Sequence, residues 1–419
     1  MAFRFVHTAD IHLDSPLRSL ALRNSELADL IGDASRQAFS SIVDLCLAER
    51  VDALVIAGDL YDGDQTSMKT ARFLASQMTR LHQAGVRVYM IRGNHDAMSR
   101  ISKQLVLPDT VTIFGGRAQA VVQSGAGVDV VFHGLSFANP KAPESLLPKY
   151  AGPQEGAANV GIMHTSLAGS PGHDSYAPCS VADLHRHGFE YWALGHIHVR
   201  QVYFGASTLV MPGIPQGRDI NEAGEKSVTL VTVGDDRSVD IEERLTSVAQ
   251  FERISIDLTG ISEWADAVAR IRTTLEQSRA AAKSRCVVAR LGLVGTSTLS
   301  WRMIRDRDLM LAEAQQAAEQ VGNTWVEKVE LNLTAPDIGS FGDGADPTLE
   351  LAQSMRANAG SEAFRSDARE FVLKTIADLP PDARGFAGKD EAGLEQFLDD
   401  VLARGIDLVA ASLKTGGTR

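Results

Sequence analysis

Aspartate, asparagine and histidine gather in five short clusters along this chain: Asp10-Ile11-His12, Gly58-Asp59-Leu60-Tyr61-Asp62, Gly93-Asn94-His95-Asp96, His164, and Gly195-His196-Ile197-His198. Carboxylate, amide oxygen and imidazole all bind divalent metals. No cysteine stands among them. A carboxylate has two oxygens, so Asp59 could bridge two ions, which lie about 3.5–4 Å apart in two-metal sites. Asn94 offers a neutral amide oxygen, a ligand that adds no charge. A pair of such ions suits attack of water on phosphorus.

Asp10 and His12 are two residues apart, as are His196 and His198. An extended strand puts residues i and i+2 on the same side, so each pair could reach one ion. Gly58 permits a sharp turn that lets the Asp59 carboxylate project over a sheet edge. Each cluster follows an apolar run that reads as a buried strand. These runs are Phe3-Arg4-Phe5-Val6, Ala53-Leu54-Val55-Ile56-Ala57, Val86-Arg87-Val88-Tyr89-Met90-Ile91, Val160-Gly161-Ile162-Met163 and Tyr191-Trp192-Ala193-Leu194. Asp-x-His or Gly-Asp-x-x-Asp alone is a weak signal, and a lone histidine is more often simply hydrogen-bonded. Five clusters in order, each behind a strand-like run, are a far stronger one.

Helical patterns over residues 35–49 and 67–84 separate the early runs, which suggests βαβ units. Strand-like runs dominate from residue 128 to 242. The expected fold class is therefore α/β: two packed sheets, a β-sandwich flanked by helices, over residues 1–248. Residues 249–335 read as a small α/β domain of strand, helix, strand, helix, strand, with one continuous helix over 300–320. A Gly/Asp-rich break, Pro336 to Pro347, reads as linker. A helical C-terminal region over 345–419 follows, with helices at 361–379 and 391–411. In the last of these, Leu394, Phe397, Leu398, Val401 and Leu402 make one apolar stripe.

The chain has 419 residues, more than one core usually organises, and a net charge of −12. That charge argues against a generally basic nucleic-acid coat but allows a local basic groove. Met1 to Asp10 holds no apolar stretch suited to a signal sequence. No run of about 18 apolar residues reads as a membrane span. Cys46, Cys179 and Cys286 are scattered, as expected of buried thiols in a reduced, cytoplasmic setting.

The five blocks resemble the calcineurin-like metallophosphoesterase superfamily. His7-Thr8-Ala9-Asp10-Ile11-His12-Leu13 and Ala193-Leu194-Gly195-His196-Ile197-His198 are similar to SbcD-type DNA repair nucleases. Asp14-Ser15-Pro16-Leu17 and Pro212-Gly213-Ile214-Pro215-Gln216-Gly217-Arg218 resemble the YhaO-like branch of that group. The resemblance implies a metallophosphoesterase fold, with the small α/β domain as a capping domain. It implies that Asp10, His12, Asp59 and His198 hold one ion, and Asp59, Asn94, His164 and His196 the other. Manganese is the usual metal of the family; magnesium, iron and zinc are alternatives. His95 would stand beside the ions as general acid, with Asp62 and Asp96 orienting histidines or capping turns. The partners implied are DNA, an SbcC-like coiled-coil ATPase docked on the C-terminal helices, and a second copy in a homodimer.

The leading reading is thus a metal-dependent DNA exonuclease, with endonuclease activity open, acting in DNA repair. A small-molecule phosphodiesterase or phosphomonoesterase shares the chemistry, and a scaffold with a relict site is the non-enzymatic alternative. Arg218 follows a Pro/Gly-rich turn and could contact a DNA phosphate, or form a surface ion pair. His7 reads as a packed histidine, Asp14 as a loop cap, and His133, His173, His185 and His187 have no spacing that ties them to the site.

Overall fold

A computed structural model of the protein describes residues 2–15, 25–62, 67–97, 106–139, 142–167, 176–335, 347–388 and 390–413. Two compact units emerge: Met1–Glu252 with Arg279–Val288, and Arg253–Ser278 with Ala289–Arg419.

In the first unit, strands β1 (Phe3–Thr8), β2 (Ala53–Ala57), β3 (Arg87–Ile91) and β4 (Val111–Ile113) run parallel side by side. Strands β5 (Gln119–Gln123), β6 (Val130–Gly134), β7 (Ala158–His164), β8 (Tyr191–Gly195), β9 (Gln201–Phe204) and β10 (Thr208–Met211) form a second sheet, ordered β5-β6-β7-β8-β10-β9. Strands β11 (Ser227–Val233) and β12 (Val239–Leu245) return to the first sheet and complete its order, β12-β11-β1-β2-β3-β4. Phe5, Val55, Tyr89, Phe132, Val160, Tyr191 and Val210 from both sheets share one core. The Phe5 ring meets Phe132 and Tyr191 edge-on, at centroid distances of 5.8 and 5.5 Å.

Helices α1 (Ser25–Glu49) and α2 (Met68–Gln83) cover the outer face of the first sheet, with Phe39, Ile42, Leu74 and Met78 packed on Leu54, Ile56 and Val88. The α2 sequence folds this way for local reasons. The Ser67 side chain caps the Thr70 amide, and Ala71, Leu74, Met78 and Leu81 fall on one buried face. Helix α3 (Val181–His187), capped by Ser180 and Asp183, lies behind the second sheet, where Leu184 packs among Phe189, Trp192 and Leu209. The result is helix, sheet, sheet, helix, as expected.

The second unit is built on a sheet of three, in the order β13 (Ala249–Asp257), β14 (Cys286–Thr296), β15 (Thr324–Thr334). Helices α4 (Trp264–Ala281), α5 (Ser300–Arg305) and α6 (Arg307–Val321) supply Ile271, Leu275, Met303, Met310 and Ala314 to its core. The single helix expected over 300–320 is broken at Asp306, whose backbone (φ −99°, ψ 38°) is not helical. Three more helices follow: α7 (Pro347–Ala359), α8 (Glu362–Asp378) and α9 (Glu391–Leu413). The stripe on α9 is not a free partner face. Leu394 and Leu398 are buried with Ala387 and packed by Val372, Ile376 and Phe397, and Leu402 packs on the cluster around Trp301. Val401 alone of the stripe is left prominently exposed. Among the described residues, no helix is long and apolar enough to cross a membrane.

Candidate metal centre

All five clusters sit where strands stop. Strand β1 ends at Thr8, β2 at Ala57, β3 at Ile91, β7 at His164 and β8 at Gly195. The segments after β1 and β2 run together: the Asp10 amide donates to the Gly58 carbonyl (3.0 Å) and the His12 amide to the Asp59 carbonyl (3.1 Å). Neither Asp10–His12 nor His196–His198 continues its strand. Asp10 (φ 51°), His12 (φ 45°), Asp59 (φ 49°) and His196 (φ 105°) all have left-handed backbone. The i, i+2 face of an extended strand is therefore not what unites these pairs. Turns in sparsely populated backbone regions aim the side chains inward, at a cost of about 1–3 kcal/mol each in general. Gly93 is needed for closeness: a Cβ there would lie 2.3 Å from Asp59 Oδ1 and 2.7 Å from His164 Nε2.

The side chains converge. One ligand atom each from Asp10, His12 and His198 lies within 4.8 Å of the other two, and the same holds for Asp10, Asp59 and His164. His12 Nε2 and His198 Nε2 face each other at 3.3 Å. Two donors bound to one ion at about 2.0–2.2 Å are separated by about that much. Asn94 Oδ1 is 3.0 Å from His164 Nε2 and 3.2 Å from His196 Nδ1, and His164 Nε2 is 3.3 Å from Asp59 Oδ2. His164 Nδ1 donates to the Ala57 carbonyl (2.9 Å), which leaves Nε2 as the ring nitrogen aimed into the cluster. Buried carboxylates in this number need positive charge beside them, and oxygen and imidazole donors of this kind suit a divalent cation.

Comparison with known proteins agrees. Residues 3–200 match the family model for calcineurin-like phosphoesterases. This chain carries a calcineurin-like phosphoesterase domain. Residues 251–334 match a second family model, the middle domain of metallophosphoesterase YhaO. An uncharacterized metallophosphoesterase YhaO of Bacillus subtilis is 28% identical over 398 residues, 91% of this chain and 96% of that one. A DNA double-strand break repair protein Mre11 of Methanopyrus kandleri is 27% identical over 51% of this chain and 49% of its own. The SbcD component of the B. subtilis nuclease SbcCD is 26% identical over 54% of this chain and 66% of its own. The match thus spans about half of the Mre11 chain.

Charge in the phosphoesterase site is tightly coupled. Burial pushes the Asp10 carboxyl up, against the pull of His164 and His198. Burial and the Asp59 charge push Asp96 up to about 7. Burial would raise Asp59 too, but His164, His12 and His95 hold it below the usual carboxylate range. Burial works against a charge on His164, yet Asp59 and Asp10 lift it to about 9. Burial takes His12 down to about 3, so that ring is neutral, as a ligand must be.

His95 stands at the rim with its side chain about half exposed, and its Nδ1 is 2.9 Å from Asp62 Oδ1. That hydrogen bond raises the His95 pKa. Ser15 Oγ donates to the other Asp62 oxygen at 2.8 Å. Asp96 caps the loops, accepting from the Gly93 amide (2.6 Å) and the Leu60 amide (3.1 Å). Arg218 is already engaged, with Nη2 2.7 Å from Glu222 Oε1. His7 is buried against Tyr191 and the Leu194 carbonyl, and His133 bonds Asn159. His173, Pro16, Leu17 and residues 336–346 lie outside the described residues. Sequence reasoning missed Glu222, which bonds His198, and Tyr176, whose ring meets His196 at 5.1 Å. Neither has a spacing that could have revealed it.

Proposed function

We propose that the phosphoesterase domain is a divalent-metal-dependent DNA nuclease of the cytoplasm. It hydrolyses phosphodiester bonds in DNA repair, as an exonuclease first and an endonuclease second. The observation that carries the hydrolytic reading is the convergence of Asp10, His12, Asp59, Asn94, His164, His196 and His198 beneath a half-exposed His95–Asp62 pair. DNA as substrate is supported by likeness to proteins named for DNA break repair and as part of a nuclease.

In this reading Asp10, His12, Asp59 and His198 hold one cation, and Asp59, Asn94, His164 and His196 the other, with Asp59 shared. Bound there, two divalent ions, manganese foremost, lower the pKa of water and take up charge on phosphoryl oxygens. Asp62 holds His95 with one nitrogen engaged and the other free to turn toward substrate. With its pKa raised, His95 keeps a proton to give to the departing sugar oxygen. The contact for an SbcC-like coiled-coil ATPase is sought on the exposed Phe364, Phe371 and Leu373 of α8 and Leu408 of α9, since the 394/398 face is covered.

The test is a panel. Purified protein with manganese is given linear duplex, single-stranded DNA, a chromogenic phosphodiester and a phosphomonoester. DNA should be cut fastest, with steep loss of binding as salt rises. A monoester or small diester turned over faster than DNA moves the reading to small-molecule hydrolysis. His95→Ala should keep two ions and lose about 10²–10⁴ in turnover. Near-wild-type rates in that variant would remove the acid role.

A further inference from the structure

Glu222 lies outside all five clusters, at the end of a 3-10 turn, Ile220–Glu222. Its side chain is only 12% exposed, and Oε1 is 2.7 Å from His198 Nδ1. An ionised carboxylate only accepts hydrogen bonds, and it stands closer to Nδ1 than the donor Arg218 Nη2 does (3.2 Å), so Nδ1 carries the proton. The neutral ring then has its lone pair on Nε2, the nitrogen that faces His12 Nε2 at 3.3 Å. Arg218 braces the carboxylate from the other side. Its backbone amide donates to Oε2 (2.8 Å), its Nη2 to Oε1 (2.7 Å), and its Nε sits 3.2 Å from both oxygens. Arg218 Nη1 also reaches to 4.0 Å from Asp62 Oδ2.

We infer that Glu222, clamped by Arg218, is the residue that orients His198 as a metal ligand. This rests on the two-ion reading above. The two sides of the centre are then backed differently. His164 Nδ1 is held instead by the Ala57 carbonyl, a neutral acceptor (2.9 Å). His198 is held by a carboxylate, which makes its Nε2 the more electron-rich donor. Arg218 keeps that carboxylate fixed and offsets its charge, so it acts as a positioning residue and is not free to clamp a phosphate. A plain loop-capping role for Glu222 would predict no preference between the two ions.

The deciding measurement is manganese binding to full-length wild type, Glu222→Gln and Arg218→Ala, by elemental analysis and electron paramagnetic resonance titration. Circular dichroism melts in chelator report the fold. Glutamine keeps the size and can still accept from Arg218, but cannot supply a carboxylate. The expected result is two ions in wild type. In Glu222→Gln one ion should bind about 10–100-fold more weakly, the other unchanged, with a melt close to wild type. Arg218→Ala should weaken the same ion by less. Wild-type affinity for both ions in Glu222→Gln overturns the inference and leaves the two-ion reading standing. Wild type that binds no manganese overturns both.

Discussion

The edge where β1, β2, β3, β7 and β8 end handles charge in the opposite way from the three-stranded sheet of the second unit. At the edge, Asp10, Asp59, Asp96, His12 and His164 are all essentially buried. On the sheet, Arg290 pairs with Glu327 and Glu330, and Lys328 with Glu330, and all of these but Glu327 are partly exposed. Among the described residues of the second unit, the buried polar side chains are hydroxyls: Ser297, Ser300 and Thr324. A buried charge without full compensation costs several kcal/mol, while a hydrogen-bonded hydroxyl costs little. One region is thus arranged for stability. The other gathers ionisable groups and left-handed backbone that only a bound cation turns to advantage.

The largest test of that contrast is Asp10→Asn. Among the described residues Asp10 takes part in two of the three groups of three candidate ligands, and its carboxylate accepts the His196 amide at 2.9 Å. Asparagine can still accept that bond but brings no charge. The expected outcome is loss of manganese at the position Asp10 shares with His12 and His198, and of detectable turnover. In chelator the variant should melt no lower than wild type, because a buried charge has gone. A clear drop in the metal-free melting temperature would show that Asp10 stabilises the fold, and the contrast would collapse.

A smaller effect comes from pH. Burial opposes the His164 charge, but Asp59 and Asp10 raise its pKa from 6.5 to about 9. Between those values the folded chain keeps a proton that the unfolded chain has released, so stability falls as pH rises through this window. Burial and Asp59 raise Asp96 from 3.8 to about 7, which gives a slope of the same sign at lower pH. In chelator the melting temperature should therefore drop by a few degrees from about pH 6 to about pH 9. Manganese should flatten that slope, since a cation takes over the proton's part beside the carboxylates. A pH-independent melt in chelator would mean that the buried charges are already balanced.

Much of this edge was readable in the sequence, because five apolar runs each delivered a polar cluster and apolar runs of that length become buried strands. Asp10, His12, Asp59, Asn94, His164, His196 and His198 do converge, though by left-handed turns where extended strand was expected; spacing reports distance along the chain and says nothing of φ. Glu222 was not readable. It meets His198 only because the Pro212–Arg218 turn folds back, and no periodicity encodes that. Helix α1 starts ten residues before the expected Ser35, since Gly32 and Asp33 interrupt an apolar pattern that tertiary packing carries through. Helix α7 falls within the expected helical region, but its start is hidden for the opposite reason. Pro347 reads as the end of a linker, yet proline is at home in the first turn of a helix.

The smallest effect is expected where the second unit keeps its charges. Arg290 contacts Glu327 Oε1 through Nε at 2.6 Å and through Nη2 at 2.5 Å, on a sheet whose core is apolar without it. Arg290→Ala removes a pair that is partly exposed on the arginine side, so it should cost about 1 kcal/mol or less. It leaves a nearly buried Glu327 without this partner, which sets the sign as destabilising. Manganese content should stay at the wild-type level, because no group at the strand edge is altered. A variant that loses metal as well as stability would show that the two units do not keep their charges for separate purposes.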